Sequence, residues 1–283
     1  MKRKLYIAGG ALLVVVAGLY FSRHWLADAW YDLNRPKLPA AVSYAQEQAG
    51  MNNYASAPPA PIEGGMASSE HYVLDSSPQD VKKPTDPLAV SAYIPDEINL
   101  AVPWISQAPF ANWDMPYQEA CEEASMIMVD GFYKKVGKIT PQQADEAIQK
   151  LVTYENKVRG DYKDTDAEET AKIMRDYFGY KDVRVLPFNT SDDIVNIVGR
   201  GYPVIIPFSG KDLDNPNFRN GGPLYHMLVV KGYTKDGLFV TGDPGTRKGE
   251  DYVYTFQKIV DAAHDWNDGN VTQGKKFMIV VVQ

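Results

Sequence analysis

Hydrophobic positions spaced by four, Ala124, Met128 and Phe132, fall on one helical face and predict a helix from Cys121 to about Lys135. Thr140 followed by Pro141 gives an N-cap and a proline at the first helical position, so a second helix is expected to run to about Tyr154. Asp166 and Glu169 form a capping-box pair for a third helix ending near Gly179, and Ser191 is expected to cap a short helix to Val198. The apolar run Asn99 to Ile105 reads as a strand, as do Asp182 to Leu186, Pro203 to Phe208, Tyr225 to Tyr233, Leu238 to Thr241 and Phe277 to Val282. A helix is expected between the last two, from Tyr254 to Trp266. Helices first and strands afterwards describe an α+β domain, its N-terminal helices packed on an antiparallel sheet.

Upstream of Asn99 the texture differs. Leu5 to Phe21 is 17 residues without a charge, preceded by Lys2, Arg3 and Lys4 and followed by Arg23. As a helix it would span ~26 Å, near the ~30 Å of a bilayer's hydrocarbon core. The basic flank predicts an N-terminus left in the cytoplasm and a translocated remainder. A retained anchor is expected over a cleaved signal peptide, because Tyr20, Phe21 and Ser22 form no small-x-small site. The next stretch is rich in turn formers, with Pro58, Pro59 and Pro61, then Gly64 and Gly65, then Pro84 and Pro87. Such composition reads as a tether with few apolar groups to bury, apart from short ordered pieces such as that around Leu88. Three regions are therefore expected: a membrane anchor (or signal peptide) over 1–26, a low-order linker over 27–98 and a folded domain over 99–283.

Composition narrows the function. The net charge is −7, and since the first 24 residues contribute +4, the remainder carries −11 (−7 minus 4). An acidic body argues against nucleic acid as a partner. No glycine-rich loop ends in Lys-Ser or Lys-Thr, so no nucleotide partner is expected. One cysteine in 283 residues excludes an intrachain disulfide and a cysteine-rich metal cluster, and no cofactor is expected.

That cysteine, Cys121, is the candidate nucleophile. A lone thiol is commonly a small core residue. In the first turn of a helix, however, unpaired backbone N–H groups and the macrodipole favour its thiolate. Of four histidines, only His226 begins a long apolar strand, behind a tight turn at Gly221-Gly222-Pro223. Asp243 lies 17 residues further on, past a hairpin at Lys235-Asp236-Gly237. Two adjacent antiparallel strands would return it to the imidazole, where it could fix the ring's tautomer. An oxyanion needs a donor as well; Gln107 and Gln118 both qualify, and Gln107 at a strand end is preferred.

Val102-Pro103-Trp104-Ile105-Ser106-Gln107, Cys121 on a helix, Tyr225-His226-Met227-Leu228 and Gly242-Asp243-Pro244 together resemble the peptidase domains that trim double-glycine leaders, and more closely their stand-alone relatives. The resemblance covers about residues 99–283. It implies a papain-like cysteine peptidase fold, with Cys121 as nucleophile, His226 as base, Asp243 as orienting residue and Gln107 as oxyanion donor. Glu122 stands where the family usually has glycine; a carboxylate beside the thiol would raise its pKa and oppose the helix effect, while a ~100° turn around the helix would face it away. Gln107 lies 14 residues before Cys121 rather than about six, a difference that a loop from Phe110 to Tyr117 would absorb. The expected function is a membrane-anchored, extracytoplasmic thiol hydrolase of peptide or isopeptide bonds. Its partners would be a peptide or protein substrate and, through the N-terminal helix, the membrane. The alternative is a catalytically inactive, surface-displayed binding module on the same scaffold. Trp104, Phe110, Trp113 and Tyr117 are candidates to line a substrate groove, or to be ordinary packing.

Overall fold

The computed structural model describes residues 33–46, 86–88 and 93–283. The predicted span Leu5–Phe21 lies outside them, as does most of the proline-rich tether. Among the described residues no helix is long and apolar enough to cross a membrane.

The strands are β1 (Ile98–Asn99), β2 (Asp182–Pro187), β3 (Val204–Ser209), β4 (Tyr225–Tyr233), β5 (Leu238–Gly242), β6 (Glu250–Thr255) and β7 (Phe277–Val282). They form one sheet in the order β2-β7-β3-β4-β5-β6, with β1 added to β4, and every pair is antiparallel. The helices are α1 (Cys121–Tyr133), α2 (Pro141–Val158), α3 (Ala167–Asp176), α4 (Ser191–Val198) and α5 (Phe256–Ala262). The predicted α+β architecture is therefore present. The expected capping box of Asp166 with Glu169 opens α3, and the expected N-cap Thr140 closes a capping box with Gln143 at the start of α2. α4 is capped one residue earlier than expected, Asp193 Oδ2 accepting from the backbone N–H of Thr190 at 2.9 Å.

Two elements depart from the pattern. The predicted strand over 99–105 shrinks to Ile98–Asn99, which pair with Tyr233 and Gly232. Leu100 instead pairs in parallel with Val42, and Pro103, which lacks an N–H for a ladder, packs on Gly131. The helix expected over 254–266 is a strand followed by a shorter helix. Tyr252 and Tyr254 are buried and alternate with Asp251, Val253 and Thr255 in the period of a strand, and α5 starts only at Phe256, capped by Thr255.

α1 packs against β4 and is buried at 12 of its 13 residues rather than along one stripe. A helix enclosed all round is a central element, and its first turn has to be buried with it. β4 is likewise buried at all nine residues, so both of its faces are covered. α3 packs on β2 and β7, and α4 and α5 pack on each other. The site described below lies where the start of α1 meets the start of β4.

Parts of the expected linker belong to the domain's fabric. Val42 donates its N–H to Asn99 O at 2.7 Å and accepts that of Ala101 at 2.8 Å. Tyr44 sets its ring edge-on to Phe132 and Tyr133. Asp86 pairs with Arg184 at 2.8 Å, and the carbonyl of Pro95 accepts the Tyr233 hydroxyl at 2.6 Å.

Candidate active site

β4 and β5 are joined by the predicted hairpin, with Gly237 at φ +81° and Thr234 N donating to Leu238 O at 2.8 Å. Their register sets Val229 opposite Gly242. Asp243, the next residue, therefore comes level with the beginning of β4, and its Oδ1 lies 2.9 Å from Nε2 of His226. Both side chains are buried. The other carboxylate oxygen, Oδ2, accepts the Tyr254 hydroxyl at 2.7 Å and the Asn215 amide at 3.3 Å. The backbone N–H of Gly245 donates to Oδ1 at 2.9 Å. Burial alone would raise the Asp243 carboxyl. The imidazole, the Tyr254 hydroxyl and the Gly245 N–H outweigh it and hold the carboxyl below its usual range.

The imidazole is fixed on its remaining sides. Phe218 meets it edge-on at 5.1 Å between centroids. A Cβ on Gly245 would stand 2.8 Å from the ring's Cε1, so only glycine leaves the ring its place. The turn before β4 needs glycine too: Gly222 has φ +106°, and a Cβ there would meet Gly210 O at 2.6 Å.

Cys121 opens α1 at 5% exposure, and its sulfur accepts the backbone N–H of Met227, one residue along β4 from His226, at 3.4 Å. β5 has left the ladder after Gly242, opposite Val229, so no strand on that side competes for this N–H. Among the described residues no hydrogen bond joins Sγ to the imidazole. The thiol instead donates to Glu122 Oε2 at 3.0 Å. Of the two expectations for Glu122, the one that sets its carboxylate against the thiol holds, because α1 is enclosed and offers the carboxyl no path to solvent. Burial first, then the charge of Glu122, push the Cys121 thiol well above its ordinary range, against the smaller opposing effect of the Met227 N–H. Burial likewise pushes Glu122 up to about 8.

Gln107 is brought to the same place, its backbone N–H donating to Pro244 O at 3.0 Å. Its amide nitrogen donates to the carbonyls of Tyr117 and Gln118 at 2.9 and 3.1 Å, so it ties down the loop before Cys121. A groove of about 400 Å³ is lined by Gln107, Gln118, Trp113, Phe218 and the ring of His226. Of the four groove aromatics proposed from the sequence, Trp113 lies on it. Trp104 instead donates its indole N–H to Asp243 O at 3.0 Å. Tyr117 bonds Asp145, and Phe110 is exposed.

Three contributors escaped the sequence reading. Tyr254 falls in the expected helix, although the alternation Tyr252-Val253-Tyr254 is that of a strand. Gly245 follows Asp243-Pro244 in an ordinary turn pattern. Asn215, in an Asn-Pro-Asn loop, carries no signal that pattern or spacing could supply.

The sequence profile described as the Peptidase_C39 like family matches residues 99–270. No curated protein matches the chain. Among solved structures, one described as a C39-like peptidase from Bacillus anthracis is 17% identical, with a TM-score of 0.43, covering 66% of this chain and 98% of that one. A fragment of prointerpain A from Prevotella intermedia is 16% identical, with a TM-score of 0.34, covering 52% of this chain and 45% of that one. The profile spans more than half of the chain and takes in Cys121, His226 and Asp243, and the chain belongs to the peptidase C39-like family of papain-like cysteine peptidases.

Proposed function

We propose that this protein is a thiol hydrolase of peptide or isopeptide bonds, with Cys121 as nucleophile, His226 as acid and base and Asp243 as the residue that orients the ring. The observation that carries this reading is the buried pair of His226 Nε2 and Asp243 Oδ1 at 2.9 Å, with Cys121 Sγ held by the backbone of the next residue, Met227. With Nε2 given to Asp243, Nδ1 is the nitrogen left for proton traffic.

In this reading the thiol proton passes to Nδ1 and the thiolate attacks the carbonyl carbon. The tetrahedral intermediate expels the amine, which takes its proton from the imidazolium, and leaves a thioester. Water, deprotonated by the same nitrogen, then cleaves the thioester to the acid and restores the thiol. Gln107 supplies the oxyanion contact once one of its N–H groups exchanges a loop carbonyl for the substrate oxygen. The groove past Trp113 and Phe218 receives the chain to be cut. The uncharged Leu5–Phe21 run behind Lys2-Arg3-Lys4 supports an anchored domain on the extracytoplasmic face of a membrane.

A second reading, a silent binding module on the same scaffold, is favoured by the burial of Cys121 and its bond to Glu122. A peptide carrying a thiol-reactive warhead separates the two. The hydrolase predicts covalent labelling that Cys121→Ala abolishes and His226→Ala slows strongly. No labelling of the native chain, or labelling that survives in Cys121→Ala, would refute it.

A further inference from the structure

The proposed chemistry leaves one group at the reacting sulfur without a task. Glu122 Oε2 is 3.0 Å from Cys121 Sγ, closer than the Met227 N–H, and its side chain is buried with the thiol. A carboxylate in this position accepts the thiol's hydrogen bond strongly and repels the thiolate, whereas the neutral carboxyl is a weaker acceptor, does not repel the thiolate and can donate to it.

We propose that Glu122 is a further catalytic residue, whose carboxyl is the thiol's second proton partner and whose own protonation decides whether Cys121 yields its proton to His226. The inference rests on the reading of Cys121 as the nucleophile. Ionised Glu122 keeps the S–H bond intact and directed at Oε2. When the carboxylate takes a proton from solvent, that hold is released; the S–H bond then breaks, an N–H bond forms on the imidazole, and the thiolate keeps the electron pair.

The surroundings favour the neutral form around neutrality. Burial pushes Glu122 up to about 8, with the charges of Asp164 and Glu119 acting in the same direction. On its own helix, Glu123 is wholly buried, and neither carboxyl oxygen has a hydrogen-bond partner among the described residues. From α2, Glu155 is also pushed up to about 8, by burial first and then by the charge of Glu122. Arg159, 3.7 Å from Glu155, is the cation facing this cluster. Tyr162 on the loop after α2 is pushed up to about 12, by burial and then by these acids. From β4 come the neutral Tyr225 hydroxyl, bonded to Asp265 at 3.1 Å, and His226 beside Met227. With three buried carboxyls against one guanidinium, the cluster accepts protons readily, and Glu122 is the member that touches the sulfur.

The test is a titration of the thiolate by its ultraviolet absorbance, taken as the difference between the full chain and its Cys121→Ala variant, and repeated with Glu122→Gln. Glu122→Gln is expected to lower the midpoint of thiolate formation by about one unit or more, equivalent to about tenfold or more thiolate below that midpoint. An unchanged or raised midpoint would overturn the proposal. Should Glu122→Gln fail to fold by circular dichroism, Glu122→Ala is titrated in its place: a lowered midpoint supports the proposal, and an unchanged or raised one overturns it. This readout needs no substrate. A lowered midpoint in a chain that cleaves and labels with nothing would sink the hydrolase and with it the catalytic role, leaving Glu122 as the thiol's proton partner; intact hydrolysis with an unmoved midpoint would sink the role of Glu122 alone.

Discussion

His226 and Asp243, 17 residues apart in the chain, are locked together at 2.9 Å through Nε2 and Oδ1, and both are shut off from solvent. An amide in place of the carboxylate either turns an N–H onto Nε2, or keeps an uncharged oxygen on the ring and turns its NH2 onto the donors Tyr254 and Asn215, so in either orientation the charge and at least one hydrogen bond are lost. Asp243→Asn is therefore expected to lower kcat/KM for a cleavable peptide by about 10²- to 10⁴-fold, on the scale seen when a triad loses its orienting acid. Steady-state kinetics, with circular dichroism to verify the fold, checks this.

Tyr254 acts through Asp243, not on the substrate. Its hydroxyl bonds Oδ2 at 2.7 Å and helps to hold that carboxyl below its usual range. Hydrogen bonds to charged groups contribute about 1.5–3 kcal/mol. Tyr254→Phe should thus raise the Asp243 pKa. A depressed carboxyl contributes stability above its unfolded value and loses it as pH falls through the folded value. The variant should begin to lose activity and stability at a higher pH on the acid side than the native chain. The pH profile of kcat reads this shift, and KM should change little.

Gly245 sets the opposite face of the ring. Its absent Cβ would lie 2.8 Å from Cε1 and 3.2 Å from Nε2, so Gly245→Ala forces either the imidazole or the loop after Asp243 to move. The expected result is a drop of tenfold or more in kcat with a modest fall in thermal midpoint, because overpacking of this kind typically costs about 1–3 kcal/mol. A variant with native kinetics would show that the loop yields and the ring does not.

The positions of Cys121, His226 and Asp243 were legible because each depends on local signals. A helix start, a strand start and a hairpin of definite length are all written in pattern and turn residues. Contacts across elements were not legible. Whether Glu122 faces the sulfur depends on α1 being enclosed on all sides, which only the packing of β4 and the neighbouring helices decides. The amide of Gln107 could be brought near the site by spacing, but that its two N–H groups hold the carbonyls of Tyr117 and Gln118 follows from how the intervening loop folds. The confusion of β6 with helix arose because Tyr252 to Phe256 is apolar enough for either period, and only the unpaired edge of β5 selects the strand.

The buried carboxyls predict an uncommon dependence of stability on pH. Glu122 and Glu155 rise from an ordinary 4.5 to about 8, and Glu123 rises too, each chiefly through burial. A raised carboxyl contributes fully below its unfolded pKa, and its contribution is lost as pH climbs through the folded one. The loss should occupy the window from about 4.5 to about 8. Thermal melts should therefore show the highest midpoint in mild acid and a decline towards weakly alkaline solution. Glu155→Gln should flatten that decline; an unchanged slope would show that these acids do not control it.

Pattern alone begins the domain at residue 99, yet Val42 adds two backbone hydrogen bonds to the edge at Asn99 and Ala101. Asn99 also donates its side-chain amide to Pro39 O at 3.3 Å, and Tyr44 meets Phe132 and Tyr133 edge-on. Each backbone bond contributes about 0.5–1.5 kcal/mol net, and each aromatic pair a similar amount beyond its buried area. A chain of residues 99–283 should accordingly be less stable than one of residues 39–283 by a few kcal/mol. At about 2–4 °C per kcal/mol for a domain of this size, that is a thermal midpoint lower by roughly 5–10 °C. Tyr44→Ala in the longer chain should reproduce part of the loss. Equal midpoints for the two chains would return the boundary to Asn99 and make the strand-like pairing of Val42 incidental to the fold.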